Sequence, residues 1–448
     1  MELVRHAIER RPVDKLGEYY RWLLCVLVAT VPVEGIMYPV FKYLGIHEYR
    51  SPSFFIGILA TGLSVVFIPQ IYQVLKKSYF IMFMLAANLV ALGVHYFQIW
   101  APNLPSIRFL SFKMMLMGIL LLLLVEKPVW RRRMVNAYLI GWVIFVCLSV
   151  YYMLTNQVVL MKYHNVLRAK SLLLLDANIH ALTTMTGMLI CFNRLLAEKA
   201  TKWQIIYMVL WIIGLSSIFF GASRTGTIIL VFGTVVTTIY HLWFNRRQSG
   251  FSKRFKVLLA SVVLVVVGTF LVVNMDLTRP YVLSVGSRFS NTLDKGDYGQ
   301  RYALSMATLE VAYNNPTGIG LGNSMAYLRG HDPHNDYFRM FAEGGLFSGL
   351  LMIVGLGFLI KNWYLWRKSN THVGPFIILL TLLVANFTIQ GFNKQFFWVF
   401  FALYAVPPPK GYFSQEKKQQ MDAQLSRMTA EQRSEMLVKN NSQSKYAL

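Results

Sequence analysis

The chain has 448 residues, 55% of them hydrophobic and 14% charged, with a net charge of +24. Soluble globular domains are about 45–50% apolar and about 25% charged, so this composition excludes an ordinary soluble domain. In a soluble protein so basic a balance would raise nucleic acid as a partner; here the positive-inside rule accounts for much of it, and no nucleic acid is expected.

The apolar residues fall in blocks of about 20, the length that spans a bilayer core as a helix. A transmembrane barrel would read as short alternating segments instead. The blocks predict twelve spans, starting near Trp22, Ser53, Tyr79, Ile107, Met134, Leu173, Trp203, Thr225, Val257, Leu346, Val373 and Phe396, the last one short. The expected fold is therefore an all-α polytopic membrane protein. It has an N-terminus of residues 1–21, a transmembrane domain of 22–406 and a polar, helix-prone tail of 407–448. The opening "MELVRHAIERRPVDKLGEYYR" is charged throughout, and the apolar run behind it is too long for the core of a cleavable signal. Cys25, Cys147 and Cys191 all lie inside apolar runs. They read as small core residues, not as a disulfide framework or a metal site.

The N-terminus, the even-numbered loops and the tail hold roughly two thirds of the Lys and Arg, in stretches such as "EKPVWRRRM" and "NRRQSGFSKRFK". Both termini are accordingly expected in the cytoplasm. Two outer loops depart from the pattern. Residues 155–171, "TNQVVLMKYHNVLRAKS", are basic although outside. Residues 275–343, between the ninth and tenth spans, form a long polar loop among short ones, which marks them as a functional candidate.

Taken in chain order, the first polar cluster inside a span is Asp176, Asn178 and His180 in "LLLLDANIHALTTMTG". Such groups line a cavity or hydrogen-bond between helices, and the sequence leaves both open. Arg224, in "FFGASRTGTIIL", stands between two apolar runs. It is either an interfacial arginine that snorkels or an anion clamp, since guanidinium binds phosphate bidentately. The large loop adds Arg288, Lys295 and Arg301. "GQRYALSMATLEVAYNNP" predicts an amphipathic helix stopped by Asn-Asn-Pro. "TGIGLGN" lacks the Lys-Ser/Thr and the preceding strand of a phosphate-binding loop, and reads as a flexible turn that permits close backbone approach.

The loop ends in "HDPHNDYFRMFAEGG", residues 331–345. Asp332 is a suitable N-cap and Pro333 suits the first helical position, which places His334 and Asn335 in the first turn, with a break at Gly344-Gly345. A histidine there feels the positive helix end and is expected neutral near pH 7, able to accept a proton from a hydroxyl. The same helix end favours anions. His331 precedes the cap and has no such argument. No metal spacing accompanies either histidine.

"SRTG" at an outer turn, "GSRFS" early in the large loop, "NNPTGIGLGN" and "PHNDYFRMFAEGGLFSG" occur in this order, and together the chain resembles the bacterial O-antigen ligase and polymerase superfamily. The resemblance implies an integral inner-membrane glycosyltransferase of the GT-C type with its active site on the periplasmic side. It implies transfer of a glycan from undecaprenyl pyrophosphate to a hydroxyl without metal or other cofactor. Ligases transfer to the sugar of lipid A-core; polymerases transfer to another lipid-linked repeat unit. Carried onto this chain, it implies Arg224 and Arg288 as the pyrophosphate clamp and His334 as the catalytic base. Arg301, Arg339, Asn335, Asp336 and Asp176 are possible supporting residues. The ligase reading is preferred. The polymerase reading stays open, as does a lipid-linked oligosaccharide flippase, although transporters usually carry internal repeats and none is visible here.

Overall fold

The computed structural model describes residues 12–33, 52–97, 105–155, 158–163, 166–171, 177–198, 201–220, 224–244, 299–331, 333–366, 373–387, 392 and 394–409, with isolated positions between 263 and 290. Helices α1 (Pro12–Val33), α2 (Pro52–Ser64), α3 (Ile68–Leu75), α4 (Tyr79–Phe97), α5 (Pro105–Val125) and α6 (Pro128–Leu154) come first. A hairpin of β1 (Val158–Tyr163) and β2 (Val166–Ser171) comes next, antiparallel with Met161 opposite Arg168. Then come α7 (Ala177–Ala197), α8 (Thr201–Phe220), α9 (Arg224–Phe244), α10 (Gly299–Asn314), the single turn α11 (Ser324–Tyr327), α12 (Asp336–Trp366), α13 (Val373–Ala385) and α14 (Gln395–Ala405). The described fold is thus helical as expected, except that within the basic segment 155–171 Val158–Tyr163 and Val166–Ser171 pair as antiparallel strands.

Among the described residues, six helical stretches are long and apolar enough to cross a membrane: Lys15–Val33, Phe55–Leu75, Tyr79–Tyr96, Pro128–Tyr151, Thr201–Ile218 and Asp336–Trp366. Met114–Val125, Gly226–Tyr240 and Gln395–Ala405 are shorter apolar helices. The ninth expected span, near Val257, lies outside the described residues. The outward face of α12 shows what such helices meet. Leu346, Leu350, Ile353, Ile360 and Tyr364 form an exposed stripe at helical spacing, while Ser348, Asn362 and Glu343 turn inward and are buried. Apolar groups outside and polar groups inside is the arrangement of a helix in lipid, and the chain is a multi-pass membrane protein.

The core is built around α14. All eleven of its residues are buried, as expected of a helix that is apolar on every side. Tyr138 of α6 meets Phe400 edge-on at 5.0 Å, and Phe80 of α4 meets Phe401 at 5.6 Å. At its C-terminal end α12 supplies the missing donors. Asn362 Nδ2 donates to the carbonyls of Tyr404 and Ala405 at 3.1 Å, and Trp366 Nε1 donates to that of Val406 at 2.9 Å. A helix end buried among apolar residues needs such partners. Arg131, also fully buried, lays its guanidinium over the Trp366 ring at 3.5 Å.

Inside the helices, hydroxyls turn back on their own backbone. Thr237 donates to the Gly233 carbonyl and Thr308 to that of Leu304, both at 2.6 Å. This is how isolated hydroxyls are carried in a bundle without leaving a bare donor.

Candidate active site

The site is assembled where α12 begins. Its first helical residue is Asp336, and Asn335 is the cap: its side-chain oxygen accepts the N–H groups of Tyr337 at 3.0 Å and Phe338 at 3.1 Å. This corrects the expected start at Asp332-Pro333. Asn and Asp are equally good caps, so local preference does not choose between the two positions. A tertiary contact does. The Asp336 N–H donates to the Asn386 carbonyl at the end of α13, 3.2 Å away, which fixes the first helical residue. His334 is therefore one residue before the cap, not in the first turn, and the dipole argument for its neutrality weakens with that distance. It is half-buried, between buried Pro333 and buried Asn335. Asp332 lies outside the described residues.

Behind this helix start lies a buried ionic network. One oxygen of Asp336 is 3.2 Å from Arg339 Nη2, and the other accepts the Phe392 N–H at 2.7 Å. Arg339 Nε is 4.0 Å from Glu343. Glu343 in turn accepts the Ser324 hydroxyl at 2.6 Å and the Gly322 N–H. Asp336, Arg339 and Glu343 are all within 4% of full burial. Such charges are tolerable only when paired and hydrogen-bonded, as here. Arg339 was expected to support anion binding; the structure gives its charge to two carboxylates of its own helix.

The "TGIGLGN" segment is the third wall. Gly345 has φ 72° and ψ −175°, so α12 kinks at the expected Gly344-Gly345 break. The kink frees two carbonyls and one N–H, and the glycine turn takes all three. Ile319 donates to Ala342 at 2.9 Å, Gly320 donates to Glu343 at 2.8 Å, and Leu346 donates to the Pro316 carbonyl at 2.9 Å. Close approach is obligatory. A Cβ on Gly318, at φ +91°, would sit 2.5 Å from the Gly345 nitrogen. The other side of the turn rests on α4, where Leu321 donates to the Ala91 carbonyl and Asn323 Nδ2 lies 3.3 Å from His95 Nδ1. The turn approaches closely, as expected, but it is docked on both sides and not flexible in its hydrogen bonding.

The structure brings together Asn335, Asp336 and Arg339 of the expected set, with His334 at their edge. Arg224 is the first residue of α9, and Arg301 lies in the first turn of α10; their side chains lie outside the described residues, as do Arg288 and Asp176 altogether. His180, expected in a polar cluster, is buried on α7. Its Nε2 stands 2.9 Å from the Ser217 hydroxyl and 3.0 Å from the Ser217 carbonyl. Among the described residues no three His, Cys, Asp or Glu side chains come together as a metal site. Sequence reasoning missed Glu343, Ser324 and His95. The signal was available for two of them, since an ionisable group inside an apolar run is costly and marks a built environment.

No curated protein and no solved structure matches the chain significantly. A family model does: residues 208–353 match the family described as O-antigen ligase. The matched stretch runs from α8 through α9 and α10 to the glycine turn, the capped start of α12 and its kink, and it includes Arg224, Arg288 and His334. The match covers 146 of the 448 residues, and over this stretch the chain is similar to the O-antigen ligase family.

Proposed function

We propose that the protein is an O-antigen ligase, which moves a glycan from undecaprenyl pyrophosphate to a hydroxyl of lipid A-core on the periplasmic face of the bacterial inner membrane. The observation that carries the reading is the O-antigen ligase match over 208–353, which contains the whole of the capped, ion-paired start of α12 beside His334. This start is tied to the end of α13, to Phe392 and to the glycine turn. A residue next to it is held by a rigid frame, as a catalytic base must be.

The residues define the chemistry. His334 accepts the proton of the acceptor hydroxyl while its oxygen attacks the anomeric carbon. The bond to the pyrophosphate oxygen breaks, and the leaving group gathers negative charge. Arg224 and Arg288 stabilise that charge through fixed guanidinium donors. Attack from the face opposite the leaving group inverts the anomeric configuration. Asn335 and Asp336 position the base without touching substrate. Arg339 neutralises the network that holds them.

Replacement of His334 by Ala is expected to cut transfer by about a hundredfold or more while the protein still inserts and purifies as wild type. The readout is glycan transfer from purified undecaprenyl-pyrophosphate glycan to lipid A-core; near-normal transfer would remove His334 as the base. Gene deletion separates the neighbouring functions. Bare core with polymer left on the lipid carrier is the expected ligase result. Core capped by a single unit would mean a polymerase, and a single unit trapped in the cytoplasmic leaflet would mean a flippase.

A further inference from the structure

A hollow of about 460 Å³ lies among α1, α2, α5 and α14. Its walls include Leu27, Gly57, Ile58, Met114 and Met117, and its volume is that of an ordinary ligand pocket. The polar residues gather at one end. Ser53 and Gln395 each stand in the first turn of their helix, whereas Gly62 and Leu120 line the far end. From Ser53 to Gly62 the helix rises about 13 Å, so the hollow is a slot that runs along the outer face of the bundle. Thr61, on the wall, donates its hydroxyl to the Gly57 carbonyl at 2.7 Å, which leaves that stretch of wall apolar.

Two glycines of α2, Gly57 and Gly62, line the slot. Some glycines of the bundle admit close packing: a Cβ on Gly141 would strike the Ala29 carbonyl, and one on Gly187 would strike the Trp142 ring, whereas Gly93 and Gly357 face open space. At Gly57 and Gly62 an added Cβ meets nothing within 4 Å. These positions are small without a protein neighbour to require it. The Met side chains opposite are flexible and adapt to an irregular apolar guest.

The polar end adjoins the candidate site. Gln395 is three residues beyond Phe392, whose N–H is held by Asp336. Lys394, half-buried, caps the same helix and brings a positive charge to this end. A slot that is apolar along its length, with a lysine next in the chain to the glutamine at its polar end, matches a lipid with one long hydrocarbon chain and an anionic head.

We propose that this slot holds the head-proximal part of the donor's polyprenyl chain, with Lys394 beside its pyrophosphate; the assignment rests on the glycosyltransferase reading above. Lys394 thereby joins the residues that bind the donor, and the slot sets the depth at which the pyrophosphate meets the start of α12.

The test uses the purified full-length protein in detergent, with undecaprenyl pyrophosphate, farnesyl pyrophosphate, inorganic pyrophosphate and phosphatidylglycerol as probes. Gly57→Phe and Gly62→Phe place a ring where an added Cβ meets nothing within 4 Å, and both are expected to purify as wild type. Each should weaken binding of the two polyprenyl probes at least about tenfold and leave inorganic pyrophosphate unchanged. Lys394→Gln should weaken both undecaprenyl pyrophosphate and inorganic pyrophosphate. Unchanged polyprenyl binding in both glycine variants overturns the inference. So does an equal loss of phosphatidylglycerol, which would make the slot a seat for any bilayer chain. A wild type that binds undecaprenyl pyrophosphate and transfers the glycan, with Gly57→Phe doing the same, sinks the slot alone. A wild type that binds no polyprenyl pyrophosphate removes the glycosyltransferase reading as well.

Discussion

Asn335 takes two backbone N–H groups at once and so fixes where α12 starts. Its replacement by Ala is expected to cost about 1 kcal/mol of stability and to lower transfer by disordering His334, whereas Asn335→Asp, an equally good cap, should restore both. Thermal unfolding in detergent and the transfer assay together check this; equal loss in the Ala and Asp variants would mean the amide acts in some way other than capping. Arg339 answers to a larger energy. It stands between two buried carboxylates, and deleting one partner of a buried pair costs about 3–5 kcal/mol because the rest of the charge stays behind. Arg339→Ala should therefore fail to accumulate as folded protein, and a stable, merely inactive variant would restore it as a substrate-binding cation. At this scale the sequence made the stretch visible but not its register. Asp332 and Asn335 are both acceptable caps three residues apart, and only the Asn386 carbonyl, distant in the chain, decides between them.

The kink of α12 and the glycine turn form one element in two pieces. Neither satisfies its backbone alone: the kink exposes the Ala342 and Glu343 carbonyls and the Leu346 N–H, and the turn offers the complementary groups. Gly318→Ala demands both a strained φ and a Cβ only 2.5 Å from the Gly345 nitrogen. It should destabilise by more than about 1 kcal/mol and reduce transfer with it. Thermal unfolding and transfer measured on the same preparation check that; wild-type values would mean the turn can move away from the helix. The break at Gly344-Gly345 and the helix ending at Asn-Asn-Pro were legible locally, because Gly and Pro act on their own backbone. That the turn docks on the break was not, since the match is between hydrogen-bonding groups and has no residue signature. The same limit explains His95: nothing near "GVHYF" in the chain points to Asn323.

Across the whole molecule, hydropathy marked the helices, because lipid demands continuous apolar backbone-satisfied segments and leaves few alternatives. It did not foresee the hairpin at 158–171, whose alternation of apolar and basic residues is weak beside the runs that flank it. The loop charges make a further statement, about sidedness. A fluorescent protein fused after residue 409 should fold in the cytoplasm, and alkaline phosphatase inserted in the hairpin turn should be active outside. Activity of the phosphatase only at the tail would reverse the topology and place the candidate site on the wrong face for a periplasmic acceptor.

The short helix α14 carries one more implication, for how the protein is made. α14 has eleven residues, about 16 Å of helix, against a hydrocarbon core of about 30 Å. Its terminal carbonyls are claimed by Asn362 and Trp366 of a helix synthesised before it. An insertion machinery that releases segments by their own length and hydropathy has little to grip here. α14 enters the membrane as a guest of α12, which offers it both a greasy wall and the donors its end lacks. Assembly of the core then waits for α14, and the candidate site, whose Asp336 is tied to Phe392, is completed only after the segment leading into α14 is in place.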